Sequence, residues 1–264
     1  MDGERKDTAK LRGFRGIDVR QDVVSKVPEV TLGFWVIKIL ATTLGEALGD
    51  VTSSALDIGY AMSGVLLLEV FAAAVAAQIA VRAFHPFLFW LVIVIATTAG
   101  ITVADFCNRS LGLGYAAGAS LLLGLLAATF AWWRRVTGSL AITRISSPST
   151  ELLYWGAILL SQALGTELGG WLGGGAGWGV GGAALAATVG LTAVATVYLF
   201  TPVSRTLLFW CAFVLTCPLG TWLGDRLDRP VAQGGLDLSP LSVVALLLAA
   251  VLVCIVELPQ RPAR

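Results

Sequence analysis

The stretch FWVIKILATTLGEALGD, residues 34–50, decides the fold, because its pattern returns three more times along the chain. Each copy has an aromatic residue, then a tryptophan, then a glycine ten residues later. The tryptophans are Trp35, Trp90, Trp155 and Trp210, and the glycines are Gly45, Gly100, Gly165 and Gly220. Successive tryptophans are 55, 65 and 55 residues apart, a period that indicates a repeated supersecondary unit. Each period holds two long apolar segments, so we predict that the unit is a helical hairpin in lipid.

The composition indicates a membrane protein. Of the 264 residues, 56% are hydrophobic and only 13% are charged, whereas about a quarter of the residues of a soluble domain are charged. The net charge of +1 and the lack of a basic block argue against nucleic acid as a partner. The glycine-rich run at residues 169–182 lacks the Lys-Ser/Thr ending of a phosphate loop, and no cofactor is expected.

Eight apolar segments are long enough to cross a bilayer, which takes about twenty helical residues. They are residues 31–50, 57–82, 87–106, 112–133, 152–171, 177–200, 206–224 and 238–257. The chain then divides into a charged tail (1–26), four repeats (27–83, 84–146, 147–203 and 204–257) and a short C-terminal tail (258–264). We therefore predict an all-α integral membrane protein of eight transmembrane helices.

Two spans per repeat give every copy the same orientation, so these are parallel repeats related by rotation about the membrane normal. Polar and small residues concentrate in the first, third, fifth and seventh spans, which we place nearest the pseudo-symmetry axis. With the N-terminus inside, the inner segments hold 14 Lys and Arg residues and the outer links hold 3. This bias predicts that both termini are cytoplasmic, in the cell inner membrane.

The repeat tryptophans have two interpretations. An amphipathic indole is enriched at membrane interfaces, so the default is a belt of anchors at the inner boundary. The alternative is that the four rings form an inner gate. The recurring glycines and threonines favour close helix packing.

One stripe of the first span carries Trp35, Lys38, Thr42, Glu46 and Asp50. Charged groups inside a membrane are costly and usually mark function. Lys38 is either an internal counter-ion or a side chain that reaches back to the inner interface.

Glu46 and Glu69 are the strongest functional candidates. At a rise of 1.5 Å per residue they lie roughly 22 and 21 Å from the inner boundary, so the two carboxylates could meet at one level. Glu167 of the fifth span lies near that level too. Glu46 has no ionisable counterpart in the other copies, where Ile101, Thr166 and Thr221 stand.

Aspartates end three of the four motif-bearing spans, at Asp50, Asp105 and Asp225, while the third copy has Gly170. They either form a carboxylate cluster that attracts cations or terminate and cap helices at the outer surface. If a metal ion binds, Glu46, Asp50 and Glu69 are the candidate ligands.

The combination of Trp, Thr-Thr-x-Gly and a trailing Asp in tandem two-span copies resembles a bacterial multi-pass membrane family. That family has four tandem two-span repeats of unknown function, each with a characteristic tryptophan, and KVPEVTLGFWVIKILATTLGEALGD resembles its first repeat. The resemblance covers residue 26 to about residue 257 and implies architecture, because the family has no established activity. Gly170 departs from the pattern.

An enzyme is not expected, because His85 is the only histidine and no carboxylate pair motif stands out. We expect a transporter or channel for a small cation, a proton or a metal ion, through a path lined by the intramembrane carboxylates. The alternative is a non-transporting sensor or accessory subunit with structural carboxylates. The lipid bilayer is the one partner indicated, and nothing indicates an oligomeric state.

Overall fold

The computed structural model of the chain describes residues 25–56, 60–81, 83–142, 145 and 147–263, so most of the predicted charged tail lies outside the described residues. The described residues form eight long α-helices, one for each predicted span. They are α1 (Leu32–Leu56), α2 (Tyr60–Ala80), α3 (Pro86–Asp105), α4 (Gly114–Thr137), α5 (Pro148–Gly170), α6 (Gly179–Phe200), α7 (Arg205–Asp228) and α8 (Pro240–Glu257). Beyond one isolated bridge between Pro28 and Pro262, this part of the chain contains no β-structure. The predicted all-α fold is confirmed.

Five of the described helices begin with a side chain that accepts a hydrogen bond from a free backbone N–H of the first turn. The capping residues are Thr31, His85, Ser147, Ser204 and Ser239. In three cases a proline follows at the first helical position, where its missing N–H costs little. Local sequence therefore fixes where α1, α3, α5, α7 and α8 start.

Two of the motif helices, α3 and α5, end in five-residue π-helical segments. The segments are Phe106–Ser110 and Trp171–Gly175, and each begins sixteen residues after the tryptophan of its repeat. A π-helical turn shifts the register of the side chains that follow it, and such turns are frequent at functional sites.

Within the described residues, six helices are long and apolar enough to cross a membrane: α1, α3, α4, α6, α7 and α8. The apolar part of α2, Gly64–Ala80, is shorter than the apolar parts of these six helices. The apolar run of α5 is interrupted by Glu151, Gln162 and Glu167. The outer helices leave large apolar side chains exposed, such as Leu185 of α6 and Leu241 of α8. Such extensive exposed apolar surface fits contact with lipid.

The four motif helices pack against one another in a ring, in the order α1, α3, α5, α7 and back to α1. The other helices lie outside this ring. The predicted inner position of the motif helices therefore agrees with the observed packing.

The outer helices correct one expectation. Each repeat was predicted to be a helical hairpin, but the two helices of a repeat barely touch. Instead α2 packs on α3, α4 on α5, α6 on α7, and α8 on α1, so each outer helix covers the motif helix of the next repeat. The packing unit is thus offset by one helix from the sequence repeat.

The repeat glycines explain how the ring is joined. A Cβ atom at Gly45 would lie 2.6 Å from Cβ of Thr97 on α3, closer than any real contact. The other three glycines meet the next motif helix in the same way. The pairs are Gly100 with Gln162, Gly165 with Cys217, and Gly220 with Thr42. Each glycine therefore packs against the residue seven positions after the next tryptophan, and the fourth copy closes on the first.

The two ends of the described chain meet at the end of the bundle where the motif helices begin. Glu29 N donates to Arg261 O over 2.8 Å, and Ala263 N donates to Val27 O over 2.8 Å. Lys26 Nζ lies 2.7 Å from Glu151 Oε1 of α5, and both side chains are buried. The segments that flank α1 and α8 therefore lie on the same side of the ring.

Candidate functional site

A closed ring of aromatic side chains seals one end of the motif-helix ring. In each copy, the aromatic residue before the tryptophan contacts the tryptophan of the next copy. The centroid distances are 5.2 Å for Phe34–Trp90, 5.5 Å for Phe89–Trp155, 6.0 Å for Tyr154–Trp210 and 5.7 Å for Phe209–Trp35. We call these eight residues the aromatic collar.

The collar corrects the default interpretation of the tryptophans. Trp90, Trp155 and Trp210 are only 1%, 2% and 4% exposed. An interfacial anchor has to reach the lipid headgroups, which these buried rings do not. The anchor interpretation is therefore wrong for these three, and the rings close the interior instead.

Lys38 lies fully buried in the ring, one helical turn beyond Trp35. Its Nζ donates to Thr42 Oγ1 over 2.6 Å, to Thr216 Oγ1 over 3.1 Å and to Gln162 Oε1 over 3.3 Å. The Phe213 ring centroid is 4.2 Å away, at cation–π distance. Among the described residues no carboxylate pairs with this ammonium group, so neutral acceptors and one ring face surround it.

Two partners of Lys38, Thr42 and Gln162, belong to a polar layer with one member from every motif helix. Its members stand seven residues after the repeat tryptophans: Thr42, Thr97, Gln162 and Cys217. Gln162 Nε2 donates to Thr97 Oγ1, and Cys217 Sγ donates to Gln162 Oε1 over 2.9 Å. Gln162 thus joins three other motif helices.

Sequence reasoning identified Lys38 and Thr42 but missed Gln162, Cys217 and Thr216. The available signal was the position seven residues after each tryptophan, which holds a polar or sulfur-containing residue in all four copies of the repeat. Because its amino acid differs between copies, the position did not stand out as a motif.

Carboxylates collect at the opposite end of the ring from the collar. Glu46 Oε1 accepts a hydrogen bond from Thr221 Oγ1 of α7 over 2.7 Å. Asp50, one turn further along α1, is exposed and lies within electrostatic reach of Asp105, Asp225 and Asp228. The structure therefore places the three predicted end-of-span aspartates at the same end of the ring as Glu46.

Two members of this end have specific partners. Asp225 forms an ion pair of 2.7 Å with Arg229, one turn later on α7. Glu167 of α5 is fully buried, and its Oε1 accepts a hydrogen bond of 2.8 Å from Asn108 Nδ2. Asn108 was not predicted, because the π-helical turn that carries it is not visible in the residue pattern.

Glu69 lies apart from this cluster. Its side chain is exposed on α2, which packs on α3, whereas Glu46 faces α7. The structure does not bring the two carboxylates together. The prediction rested on the depth of each residue along its helix and did not include the direction in which its side chain points around the helix. Within the described ranges no group of three or more His, Cys, Asp or Glu side chains could hold a metal ion, including the predicted set of Glu46, Asp50 and Glu69.

The arrangement is a line of polar groups inside an apolar bundle. Carboxylates stand at one end, where Asp50 is exposed and Glu46 is partly buried. The polar layer and Lys38 follow, and the collar lies at the other end. Two cavities in the described part of the chain lie away from this line. One is on the outer surface of α6, and the other is among α5, α6 and α7.

Fold and site together define a multi-pass, membrane-type helical protein built from internal repeats. The chain belongs to the family described as Repeat of Unknown Function (DUF347), which matches residues 33–84, 88–139 and 208–258. These matches hold the first, second and fourth copies, and they confirm the predicted resemblance. The third copy, which has Gly170 and Gln162, lies outside them. Neither a search of curated proteins nor a search of solved structures found a match.

Proposed function

We propose that the protein passes protons, as a channel or transporter for this small cation, along the axis of the motif-helix ring. The observation that carries the proposal is Lys38, a fully buried amine held by Thr42, Thr216 and Gln162. It lies between the carboxylate end and the aromatic collar.

The energetic cost of Lys38 supports a functional role. Placing a lysine at the centre of a membrane helix costs at least about 2.5–3.5 kcal/mol on insertion scales. Its counterparts Ile93, Ile158 and Phe213 are apolar, so the ring packs at this position without a charge. A residue that is costly and not required for packing is a candidate for function.

A proton suits this line better than a metal ion does. A metal ion on the axis would meet the positive charge of Lys38, and no described cluster supplies three ionisable ligands. A proton can move through hydroxyl, amide and amine groups without a wide pore. Glu46 and Asp50 would exchange protons with water, and Thr42 and Thr221 would connect them toward Lys38.

The setting is part of the proposal. We place the ring axis along the membrane normal of the inner membrane, with pseudo-four-fold symmetry and the collar at the cytoplasmic side. The cyclic glycine and collar contacts, the bias of positive residues and the shared end of the two tails support this placement. Because the collar closes that side, passage requires the collar to rearrange.

One observation favours the second candidate, a non-transporting sensor or accessory subunit. All three donors of Lys38 have acceptors and the collar seals the axis, as expected of a purely structural polar core.

Proton flux into liposomes separates the two candidates. The purified protein is reconstituted with a pH-sensitive dye inside, and a potassium gradient with valinomycin drives proton entry. We expect acidification with the natural chain, loss of it in Lys38→Met and a several-fold slower rate in Glu46→Gln. Glu69→Gln is the matched control, because it removes an exposed carboxylate on α2 and should leave the rate unchanged.

Flux equal to that of empty liposomes from correctly folded protein would reject the proposal. Equal flux from the natural chain and Lys38→Met would reject the role of the lysine. No flux together with a lower melting temperature of Lys38→Met would support the structural candidate.

A further inference from the structure

A second polar site lies off the axis, where α5 meets the π-helical end of α3. Glu167 Oε2 and Asn108 Oδ1 are both buried, and neither has a hydrogen-bond partner in the structure. The same two side chains are already joined through Asn108 Nδ2 and Glu167 Oε1, which are 2.8 Å apart. Each side chain therefore has one polar atom with a partner, Oε1 in Glu167 and Nδ2 in Asn108, and one oxygen without a hydrogen-bond partner.

The surroundings hold the carboxyl group in this position. Glu167 is 0% exposed, and a Cβ atom at Gly118 of α4 would lie 2.9 Å from its Oε1 and 3.1 Å from its Oε2. A larger residue at position 118 would push the carboxyl group out of this position. The π-helical segment Phe106–Ser110 carries Asn108, which donates a hydrogen bond to the carboxyl group.

We propose that Glu167 and Asn108 form a proton-binding site. A proton from solvent adds to Glu167 Oε2, and the resulting O–H donates to Asn108 Oδ1 while Oε1 keeps accepting from Nδ2. The product is a cyclic acid–amide pair in which all four polar atoms are satisfied. One O–H bond of a hydronium ion breaks as the new O–H bond forms, and the carboxylate goes from a charge of −1 to neutral.

The groups facing the site favour a proton over a metal ion. Among the described side chains, Asp105 of α3 and the Cys107 thiol of the π-helical segment are within electrostatic reach of Glu167, and the facing position on α4 is Gly118. A metal ion needs several oxygen ligands at bonding distance, whereas the tight packing against Gly118 leaves space for a hydrogen atom. Two buried acceptors without partners are unfavourable, and one bound proton gives both of them a partner.

The site does not depend on proton passage along the axis, so it is tested by a measurement other than flux. Infrared spectra of the purified protein are recorded in the carbonyl-stretch region of protonated carboxylic acids at neutral pH, and again in D₂O. We expect a band that shifts in D₂O, is absent from Glu167→Gln and persists in Glu46→Gln.

Asn108→Leu is the second variant, because it keeps the size of the side chain and removes both hydrogen bonds. The carboxyl carbonyl then loses its donor, so the band should move to higher frequency. If Glu167→Gln fails to fold, this shift alone tests the pair. Identical spectra for the natural chain and Glu167→Gln, or an unmoved band in Asn108→Leu, would overturn the proposal. Loss of the band on adding sodium or calcium salts would overturn it in favour of a metal ion.

Discussion

Replacing Gly45 by alanine tests the way the motif helices are joined. The new Cβ would lie 2.6 Å from Thr97 Cβ and 2.8 Å from the backbone oxygen of Val94, whereas ordinary contact begins at 3.4 Å. The two helices must therefore separate by about 0.8 Å, the difference between 3.4 and 2.6 Å, because the backbone oxygen cannot rotate away. Overpacking of this kind typically costs about 1–3 kcal/mol.

Gly49 provides the matched control on the same helix. A Cβ there would lie 3.7 Å from Thr98 Cγ2, an ordinary contact, so Gly49→Ala introduces no clash. Alanine also favours the helix over glycine by about 0.8–1.0 kcal/mol. We therefore expect Gly45→Ala to unfold earlier than the natural chain and Gly49→Ala to unfold at the same point or later.

The measurement is unfolding in mixed micelles, followed by tryptophan fluorescence, because the buried tryptophans of the collar report loss of packing. Gly100→Ala should behave as Gly45→Ala does, since its Cβ would lie 2.7 Å from Gln162 Cβ. If Gly45→Ala proved as stable as Gly49→Ala, the close approach of α1 and α3 would be refuted.

Three further variants test the charged groups. Lys26→Met should lower the free energy of unfolding by about 3–5 kcal/mol, because it leaves Glu151 buried and unpaired. Adding Glu151→Met should restore much of this stability, and chemical unfolding of both variants measures the two effects. Arg229→Ala should change the melting temperature little, since its ion pair with Asp225 is largely exposed and such pairs contribute about 0–1 kcal/mol; a large drop would contradict this. Lys38→Met should remain folded by size-exclusion chromatography, because replacing a buried charge with an apolar side chain of similar length is often neutral or stabilising by about 1–4 kcal/mol; aggregation would contradict it.

The helices and the repeat were predictable because both depend on patterns of residues that are close together in the sequence. Apolar length marks each span, and the spacing of tryptophan and glycine marks each copy. Neighbour choice was not predictable in the same way. A short link favours a hairpin of α1 and α2, yet α2 packs on α3. The close glycine contact of α1 is also made with α3, through Gly45 and Thr97.

In the site, too, the residues set by local pattern were predictable and the contacts between helices were not. The stripe of Lys38, Thr42, Glu46 and Asp50 follows from helical periodicity, and the structure places its polar members along the ring axis or at its carboxylate end. The pairing of Glu46 with Glu69 required knowing which way α2 faces, which a depth estimate does not give. Asn108 depended on a π-helical turn, whose backbone register no side-chain pattern records.

The charged residues that occur in only one copy of the repeat are the strongest candidates for functional residues. Every copy supplies an aromatic pair to the collar, a residue to the polar layer and a glycine to the next helix, so these columns account for the packing of the ring. Lys38 and Glu167 are additions to that plan, because their counterparts in the other copies carry no charge. Packing alone does not explain a charge that three of four equivalent positions lack. Such costly groups in single copies favour a role other than assembly of the ring, and the role that we propose for them is proton binding by an amine and a carboxyl group.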